Sequence, residues 1–211
     1  MRRAMRAAVG LAALLAAHTS AGAQFIAPGA SGSSRPIHFA FGGGVSVPTG
    51  DWKDALKSGF NGQGSIIVTL GGFPLALRGD LNYNRFSFKD QGVAFPGQPG
   101  TVNLDDVTQQ IFGGLANVSV PFFGLGPVTP YVTAGLGAFN VKTDFGDGYG
   151  GDGESETKFA VNGGAGVSIR LFGVAAFIEA KINNIYTEKG PITTQQLKDL
   201  QFIPVTFGFV F

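Results

Sequence analysis

The sequence predicts an all-β fold, an eight-stranded antiparallel up-and-down barrel that crosses a membrane with its strands. Three observations predict this fold. Apolar residues alternate with small or polar residues along most of the chain, which is the period of a β-strand because successive side chains point to opposite faces. The connections between these alternating segments are long and short in turn, which is typical of membrane barrels. Only 14% of the residues are charged, whereas soluble domains average about 25%.

An export signal precedes the alternating part of the chain. Three arginines stand within the first six residues, an apolar stretch covers 7–17, and small residues at 21–23 form a cleavage site. The apolar stretch is shorter than the ~20 residues that a membrane-spanning helix needs. We therefore expect residues 1–23 to be a signal peptide, 24–36 a flexible leader and 37–211 the barrel domain.

The composition limits the function of the exported part. Removal of the signal takes three of the fifteen basic residues and none of the fourteen acidic ones, so twelve basic residues remain and the net charge is −2. The basic residues form no cluster, so we expect no nucleic-acid partner. The chain has no cysteine, and His38 is the one histidine after the signal. Because catalytic pairs of known hydrolases need a histidine near their nucleophile, we expect no enzyme, and likewise no metal site and no cofactor.

Eight segments carry the strand period, and they cover about residues 37–47, 60–70, 75–86, 106–120, 128–141, 157–171, 174–186 and 200–211. The first alternates aromatic and aliphatic residues with glycine and small polar residues. The second has amides and hydroxyls on its polar phase. The third alternates most sharply, since Arg78, Asp80 and two asparagines share one phase. The fourth has no clear phase, because Gln109 and Phe112 support opposite assignments.

The later segments complete an even number of strands. The fifth contains TPYVTAGLGAF, the sixth sets apolar residues against Lys158 and Arg170, and the seventh sets them against Glu179 and Lys181. Short turns on one side of the predicted sheet and long loops on the other are the pattern of bacterial outer-membrane barrels. Both chain ends are then expected on the periplasmic side.

The last segment, LQFIPVTFGFVF, places Phe207, Phe209 and Phe211 on one face. This segment resembles the carboxy-terminal sorting strand of Gram-negative outer-membrane barrels, and the resemblance implies recognition by the barrel-assembly machinery through these three residues. Pro204 departs from the pattern because it has no N–H to donate. We therefore expect regular pairing to begin near Val205.

The alternation itself does not decide which phase faces inward. A soluble, secreted lipocalin-like barrel that binds lipid would have the same period with its apolar phase inside. Here the apolar phases carry almost no charge, and the polar phases carry both signs close together, which suits a narrow lumen where unpaired charge is costly. We expect lipid outside and a charge network inside, formed by Arg78, Asp80, Lys158, Arg170, Glu179 and Lys181.

Together, the signal, the eight strands and the terminal aromatic residues resemble the small OmpA-type or OprF-type outer-membrane barrel family. We expect the resemblance to cover the barrel domain alone, without the peptidoglycan-binding domain of the full-length members. It implies a monomer in outer-membrane lipid with a structural role in the envelope or a role in surface interactions. A narrow passive pore through the charged lumen is the alternative, together with the soluble lipid-binding barrel.

Two further patterns lie near the predicted strand ends. The acidic segment 144–156 reads as a solvated loop, since its spacing does not match a calcium-binding loop. Aromatic residues at strand ends are expected to form girdles at the membrane interfaces, and this set is Tyr83, Phe86, Phe88, Tyr131, Phe139, Phe159, Tyr186 and Phe202.

Overall fold

The computed structural model describes residues 36–70, 73, 75–89, 93–94, 101–102, 108–122, 127–144, 152–171, 174–186 and 199–211. The predicted signal peptide and all of the predicted leader except Pro36 lie outside these residues. Among them, no helix is long and apolar enough to cross a membrane.

Ten strands and one short 3-10 helix form the described structure. The strands are β1 (Ile37–Thr49), β2 (Gly59–Thr69), β3 (Ala76–Ser87), β4 (Val93–Ala94), β5 (Thr101–Val102), β6 (Thr108–Pro121), β7 (Val128–Asp144), β8 (Asp152–Leu171), β9 (Val174–Ile185) and β10 (Leu200–Val210). The 3-10 helix follows β1 at Gly50–Lys53. The two-residue strands β4 and β5 pair only with each other, and the other eight build the barrel.

The eight long strands form a closed antiparallel barrel in the order β1-β10-β9-β8-β7-β6-β3-β2. Each strand pairs with its neighbour along the chain, and β1 pairs with β10 to close the sheet. This is the predicted eight-stranded up-and-down barrel, which is thereby confirmed. Closure leaves no free edge, so every strand in the barrel finds backbone partners on both sides.

The stagger of the strands fixes the width of the barrel. A path of paired residues that begins at Phe39 and follows the ladders round the barrel returns to β1 at Thr49, ten residues further along. A staggered eight-stranded barrel of this kind has strands tilted by roughly 35–45° and an interior just wide enough for side chains to fill. The lumen is therefore a place where side chains from opposite walls meet.

The apolar phase faces outward and the polar phase faces inward. Phe41 and Leu81 are each 60% exposed on the outer face, whereas Arg78 and Glu179 are 4% and 1% exposed inside. The inside-out arrangement predicted for a membrane barrel is confirmed. A soluble lipocalin-like barrel would need the opposite arrangement, so that alternative is wrong.

Two boundaries differ from those expected. The strand β10 begins at Leu200, and Pro204 pairs with Ser46 within the ladder to β1, so the expectation that regular pairing begins near Val205 is wrong. On the other side of β10, the ladder to β9 includes Phe202 and continues only at Val205, because Pro204 has no N–H to donate. The proline therefore interrupts only one of the two ladders of its strand.

The acidic segment 144–156 is also not simply a loop. The strand β7 continues to Asp144 and β8 begins at Asp152, so Glu156 belongs to a strand and pairs with Val141. The pairing of β7 with β8 continues as far as Asp144 and Asp152, so both strands include acidic residues that had suggested a loop. Residues 145–151 lie outside the described residues.

Glycine is required where β1 passes β10. A Cβ atom added at Gly44 would collide with the carbonyl oxygen of Val205, and one at Gly42 would lie 2.7 Å from the carbonyl oxygen of Phe207. Both glycines face the lumen at the seam that closes the barrel. A larger residue here would push the two strands apart.

This close approach gives a matched pair of variants. Gly44→Ala should destabilise the folded barrel by about 2 kcal/mol or more, because the added methyl group would overlap the backbone of Val205. Gly163→Ala should have little effect, because a Cβ atom at Gly163 meets nothing within 4 Å. The folded fraction can be measured after refolding into detergent micelles, as the fraction that keeps its fast gel mobility without boiling. Equal folded fractions for the two variants would contradict this account of the seam.

A charged cluster across the lumen

Four of the six residues predicted to form a charge network come together in the lumen. Arg78 and Asp80 lie two residues apart on β3, and Glu179 and Lys181 lie two residues apart on β9. Each pair therefore points to the same face of its strand. In the barrel order, β3 and β9 are four strands apart in either direction, so the two pairs face each other across the lumen.

Ion pairs connect all four residues. The Arg78 guanidinium binds Glu179 with both terminal nitrogens, at 2.7 Å to Oε2 and 2.8 Å to Oε1. Its Nε donates to Oδ1 of Asp80 at 2.6 Å. Across the same space, Lys181 Nζ lies 3.0 Å from Oδ2 of Asp80 and 3.2 Å from Oε1 of Glu179. Two cations and two anions thus form one cluster without net charge, which we call the lumen charge cluster.

Neutral side chains satisfy the remaining hydrogen-bonding groups of the cluster. Gln63 accepts from Lys181 at 2.8 Å and itself donates to Ser65 at 3.2 Å. Asn117 donates to Oδ2 of Asp80 at 2.9 Å. The four charged side chains are at most 2% exposed. Since a buried ion is costly unless it is paired and hydrogen-bonded, these partners are what make the buried cluster tolerable.

The other two predicted members lie elsewhere. Lys158 pairs with Glu156 at 2.7 Å, and the Glu156 side chain is 63% exposed near the long-loop end of β8. Arg170 is half-buried near the opposite end of β8. Both residues are on the predicted inward phase, but they lie near opposite ends of β8, and neither reaches the cluster. Strand phase identifies the face of a residue and not its height along the barrel.

Apolar side chains fill the lumen on the long-loop side of the charge cluster. Phe86 follows Asp80 on β3, and its ring lies 5.6 Å from that of Phe202 in an edge-on arrangement. The Phe139 ring lies 6.1 Å from that of Phe202, also in an edge-on arrangement. Leu56, from the segment after β1, is buried among them at 2% exposure. We call this group the outer plug, and its buried members are Leu56, Phe86, Ile111, Leu115, Phe139, Ala160, Ile185, Leu200 and Phe202.

A second apolar group fills the short-turn side. It includes Phe177, which precedes Glu179 on β9, and Ala76, which precedes Arg78 on β3. We call this group the inner plug, and its members are Ala40, Ile67, Ala76, Ala175, Phe177 and Val210. The small cavity between the inner plug, Arg78 and Tyr131 has no room for a water molecule. The charge cluster thus lies between two apolar layers.

The predicted aromatic girdle is only partly correct. Phe159 and Tyr186 stack on the outer face at 6.0 Å, and Tyr83 lies beside Phe60 at the same distance. In contrast, Phe86, Tyr131, Phe139 and Phe202 are buried in the lumen, and Phe88 packs against the outer plug. Strand phase could have identified them: Phe86 is six residues after Asp80, so it shares the inward face of its strand.

The terminal phenylalanines lie on the outer face at the seam. Phe207, Phe209 and Phe211 are 53%, 43% and 66% exposed, and the first two rings pack at 5.3 Å. The Phe211 N–H donates to the carbonyl of Phe39 at 2.8 Å, and the Phe39 N–H donates back at 3.1 Å. The last residue is therefore part of the closed hydrogen-bond ladder.

His38 is inside the barrel, on the short-turn side. It is 3% exposed, and its Nε2 has no hydrogen-bond partner among the described residues. No group of three metal-ligating side chains occurs in the described part of the chain. The histidine is thus a lumen residue beside the inner plug.

Removal of one charge from the cluster should be costly. Arg78→Ala leaves two buried carboxylates facing one lysine, so we expect a loss of about 3–5 kcal/mol in the free energy of unfolding. Arg170→Ala removes the same charge outside the cluster and should cost less than about 1 kcal/mol. Arg78→Met with Glu179→Met keeps the cluster neutral and should lose much less than Arg78→Ala. Urea unfolding in lipid vesicles measures all three, and equal losses for the two single variants would contradict the cluster's stabilising role.

Comparison with known proteins agrees with this architecture. A 25 kDa outer-membrane immunogenic protein of Brucella canis is 27% identical over 171 residues, which cover 79% of this chain and 68% of the relative. The crystal structure of Neisserial surface protein A matches with a TM-score of 0.58 at 16% identity, over 83% of this chain and 96% of that one. A major outer-membrane protein of Thermus thermophilus matches with a TM-score of 0.50 at 13% identity, over 84% and 99%.

These relatives are named as outer-membrane or surface proteins and not as enzymes. The structural matches have low identity and therefore support the fold alone. The family model for the outer membrane protein beta-barrel domain matches residues 7–211, nearly the whole chain. The chain belongs to this family of outer-membrane β-barrel proteins.

Proposed function

We propose that this protein is a non-conducting, non-enzymatic barrel that supports the envelope and presents its long-loop end to partners outside the cell. The observation that carries the proposal is the filled lumen. On β3, the charged pair Arg78 and Asp80 lies between Ala76 of the inner plug and Phe86 of the outer plug. A barrel whose interior is occupied in this way offers its surfaces, and not its lumen, for function.

The two ends of the barrel differ in what they can offer. At one end, the connection between β8 and β9 is only two residues long, which is too short to carry a binding surface. At the other, the segments between β3 and β6 and between β9 and β10 are much longer. Loops on a rigid scaffold are common sites of recognition. The Brucella canis relative is named an immunogenic protein, which is in keeping with an exposed loop end.

Assembly and oligomeric state are part of the same proposal. The outward Phe207, Phe209 and Phe211 at the end of the closing strand suit recognition by the barrel-assembly machinery, as the sequence resemblance implies. The mature chain would follow cleavage of a signal peptide at residues 1–23. We propose a monomer, because a single chain closes its own sheet.

A narrow pore is the second candidate, and one observation favours it. Between the charge cluster and the outer plug, buried amide atoms of Asn82, Asn162 and Asn183 have no hydrogen-bond partner among the described residues. Buried polar groups usually have partners, and ordered water commonly supplies them. Water at these amides would hydrate part of the lumen. A conducting path would still have to pass both plugs and the cluster.

Surface display can be tested with two tagged versions of the full chain. An epitope tag of about ten residues is inserted within 187–198 in one version and between 172 and 173 in the other. Antibody should bind intact cells that carry the first insertion, because the long connections face outward. The second insertion should be detected only after the outer membrane is permeabilised. Detection of the 172–173 tag on intact cells, or of neither tag, would contradict the proposed display.

A further inference from the structure

An exposed cation lies on the lipid-facing surface of the barrel near its long-loop end. Arg85 is on the outward face of β3, the same face as the exposed Leu77 and Leu81. It pairs directly with Phe60 of β2 in the ladder, and the Phe60 ring lies 6.0 Å from that of Tyr83. Arg85 is two residues before the end of β3 at Ser87. Because the apolar band of a membrane barrel is flanked by the headgroup regions near the ends of its strands, this position places Arg85 near the headgroups.

Charge is rare on this surface. Among the described outward positions of the barrel strands, charged side chains occur only at Arg85, Lys142 and Asp144. Lys142 and Asp144 both have interaction partners within the protein. No ion pair among the described residues involves Arg85. An exposed guanidinium at the membrane surface with no ion-pair partner in the described part of the chain is available to an anion from outside.

Three lysines lie on the segments that meet at the end of β3, where Arg85 also lies. The Lys57 N–H donates to the carbonyl of Ser87 at 2.8 Å, and the Lys89 N–H donates to the carbonyl of Ala55 at 2.9 Å. Lys89 Nζ also donates to the carbonyl of Lys53 at 2.6 Å. These bonds hold the segment after β1 against the end of β3. Four basic and two acidic residues occur in segments 51–58 and 85–89 together. We call the four basic residues the basic rim, and they are Lys53, Lys57, Arg85 and Lys89.

The sheet face directly below the basic rim is open. On the outward face of β2, Phe60 is followed by Gly62 and Gly64. A Cβ atom added at Gly62 would meet nothing within 4 Å, and one at Gly64 would meet only the Phe41 ring, at 3.8 Å. These two glycines are thus not required by packing within the barrel. They leave a shallow depression, which is bordered by Phe41 and Leu81 at the level of Gly64 and by Gly43 and Tyr83 at the level of Gly62.

We propose that the basic rim and this depression bind one phosphate-bearing lipid of the outer leaflet. The phosphate would contact Arg85, whose planar guanidinium can hold two phosphate oxygens at once. One acyl chain would lie in the depression over Gly62 and Gly64, in contact with Phe41 and Leu81. Charge complementarity selects an anionic headgroup, and the lipid-facing position of Arg85 favours a lipid over a soluble anion or a protein.

Native mass spectrometry of the full-length mature protein in detergent tests this proposal. Diphosphoryl lipid A is titrated against the wild type, Arg85→Gln and Gly62→Leu, with a gel-mobility check that each variant is folded. The controls are Arg170→Gln, which removes a charge at the other end, and Gly163→Leu, which adds bulk at another open outward glycine. Two further measurements separate the contribution of the phosphate groups from that of the acyl chains. They are the binding of lipid A without phosphates and the competition of inorganic phosphate with diphosphoryl lipid A.

We expect the wild type to retain one diphosphoryl lipid A. Arg85→Gln should weaken retention about tenfold or more, since hydrogen bonds to charged groups are among the strongest. Gly62→Leu should also weaken it, while both controls bind like the wild type. Equal binding by Arg85→Gln and the wild type would overturn the proposal, as would equal retention of lipid A without phosphates. Displacement by millimolar inorganic phosphate would show a phosphate site without lipid specificity and would also overturn it.

Discussion

The hydrogen-bonded ion pairs between Arg78 and Glu179 join opposite walls of the barrel, and the rest of the interior depends on them. Eight strands leave a lumen that side chains can just span. Because Asp80 and Lys181 complete the cluster, the charges balance and no ion is left buried alone. Apolar plugs lie on both sides of these ion pairs, and a low-dielectric surrounding strengthens them electrostatically. The plugs and the cluster thus support each other: removal of a plug would hydrate the ions, and removal of an ion would leave its partner unpaired.

The same alternation explains the outer surface, because the apolar residues of each strand face the lipid and the polar residues face the lumen. An apolar outer face needs no partner within the chain, and a closed sheet leaves no backbone group unpaired at an edge. The seam between β1 and β10 closes the sheet, and Gly44 and the terminal phenylalanines lie at this seam. Where the outer face carries a charge without an ion-pair partner among the described residues, as at Arg85, the surrounding lipid is the counter-ion that we propose.

Much of this architecture could be predicted from the sequence, because alternation at period two indicates which residues share a face of a strand. It placed Arg78, Asp80, Glu179 and Lys181 inside, and the count of eight barrel strands was correct. Height along the barrel could not be predicted, because it depends on the stagger between strands. Lys158 and Arg170 were therefore assigned to a network that they do not reach. The interior aromatics were missed for a different reason: proximity to strand ends was given more weight than strand phase, although phase alone puts Phe86 inside.

The most direct test of a sealed lumen is ion conductance. The purified full-length mature protein, and the variant that combines Arg78→Ala with Glu179→Ala, are inserted into planar lipid bilayers under a fixed voltage. We expect no steady conductance from the wild type and little from the variant, because the plugs around Phe202 and Phe177 remain in place. A stable conductance in the wild type whose ion selectivity changes in the variant would contradict the account. The lumen would then be a pore, and the charge cluster would be its filter.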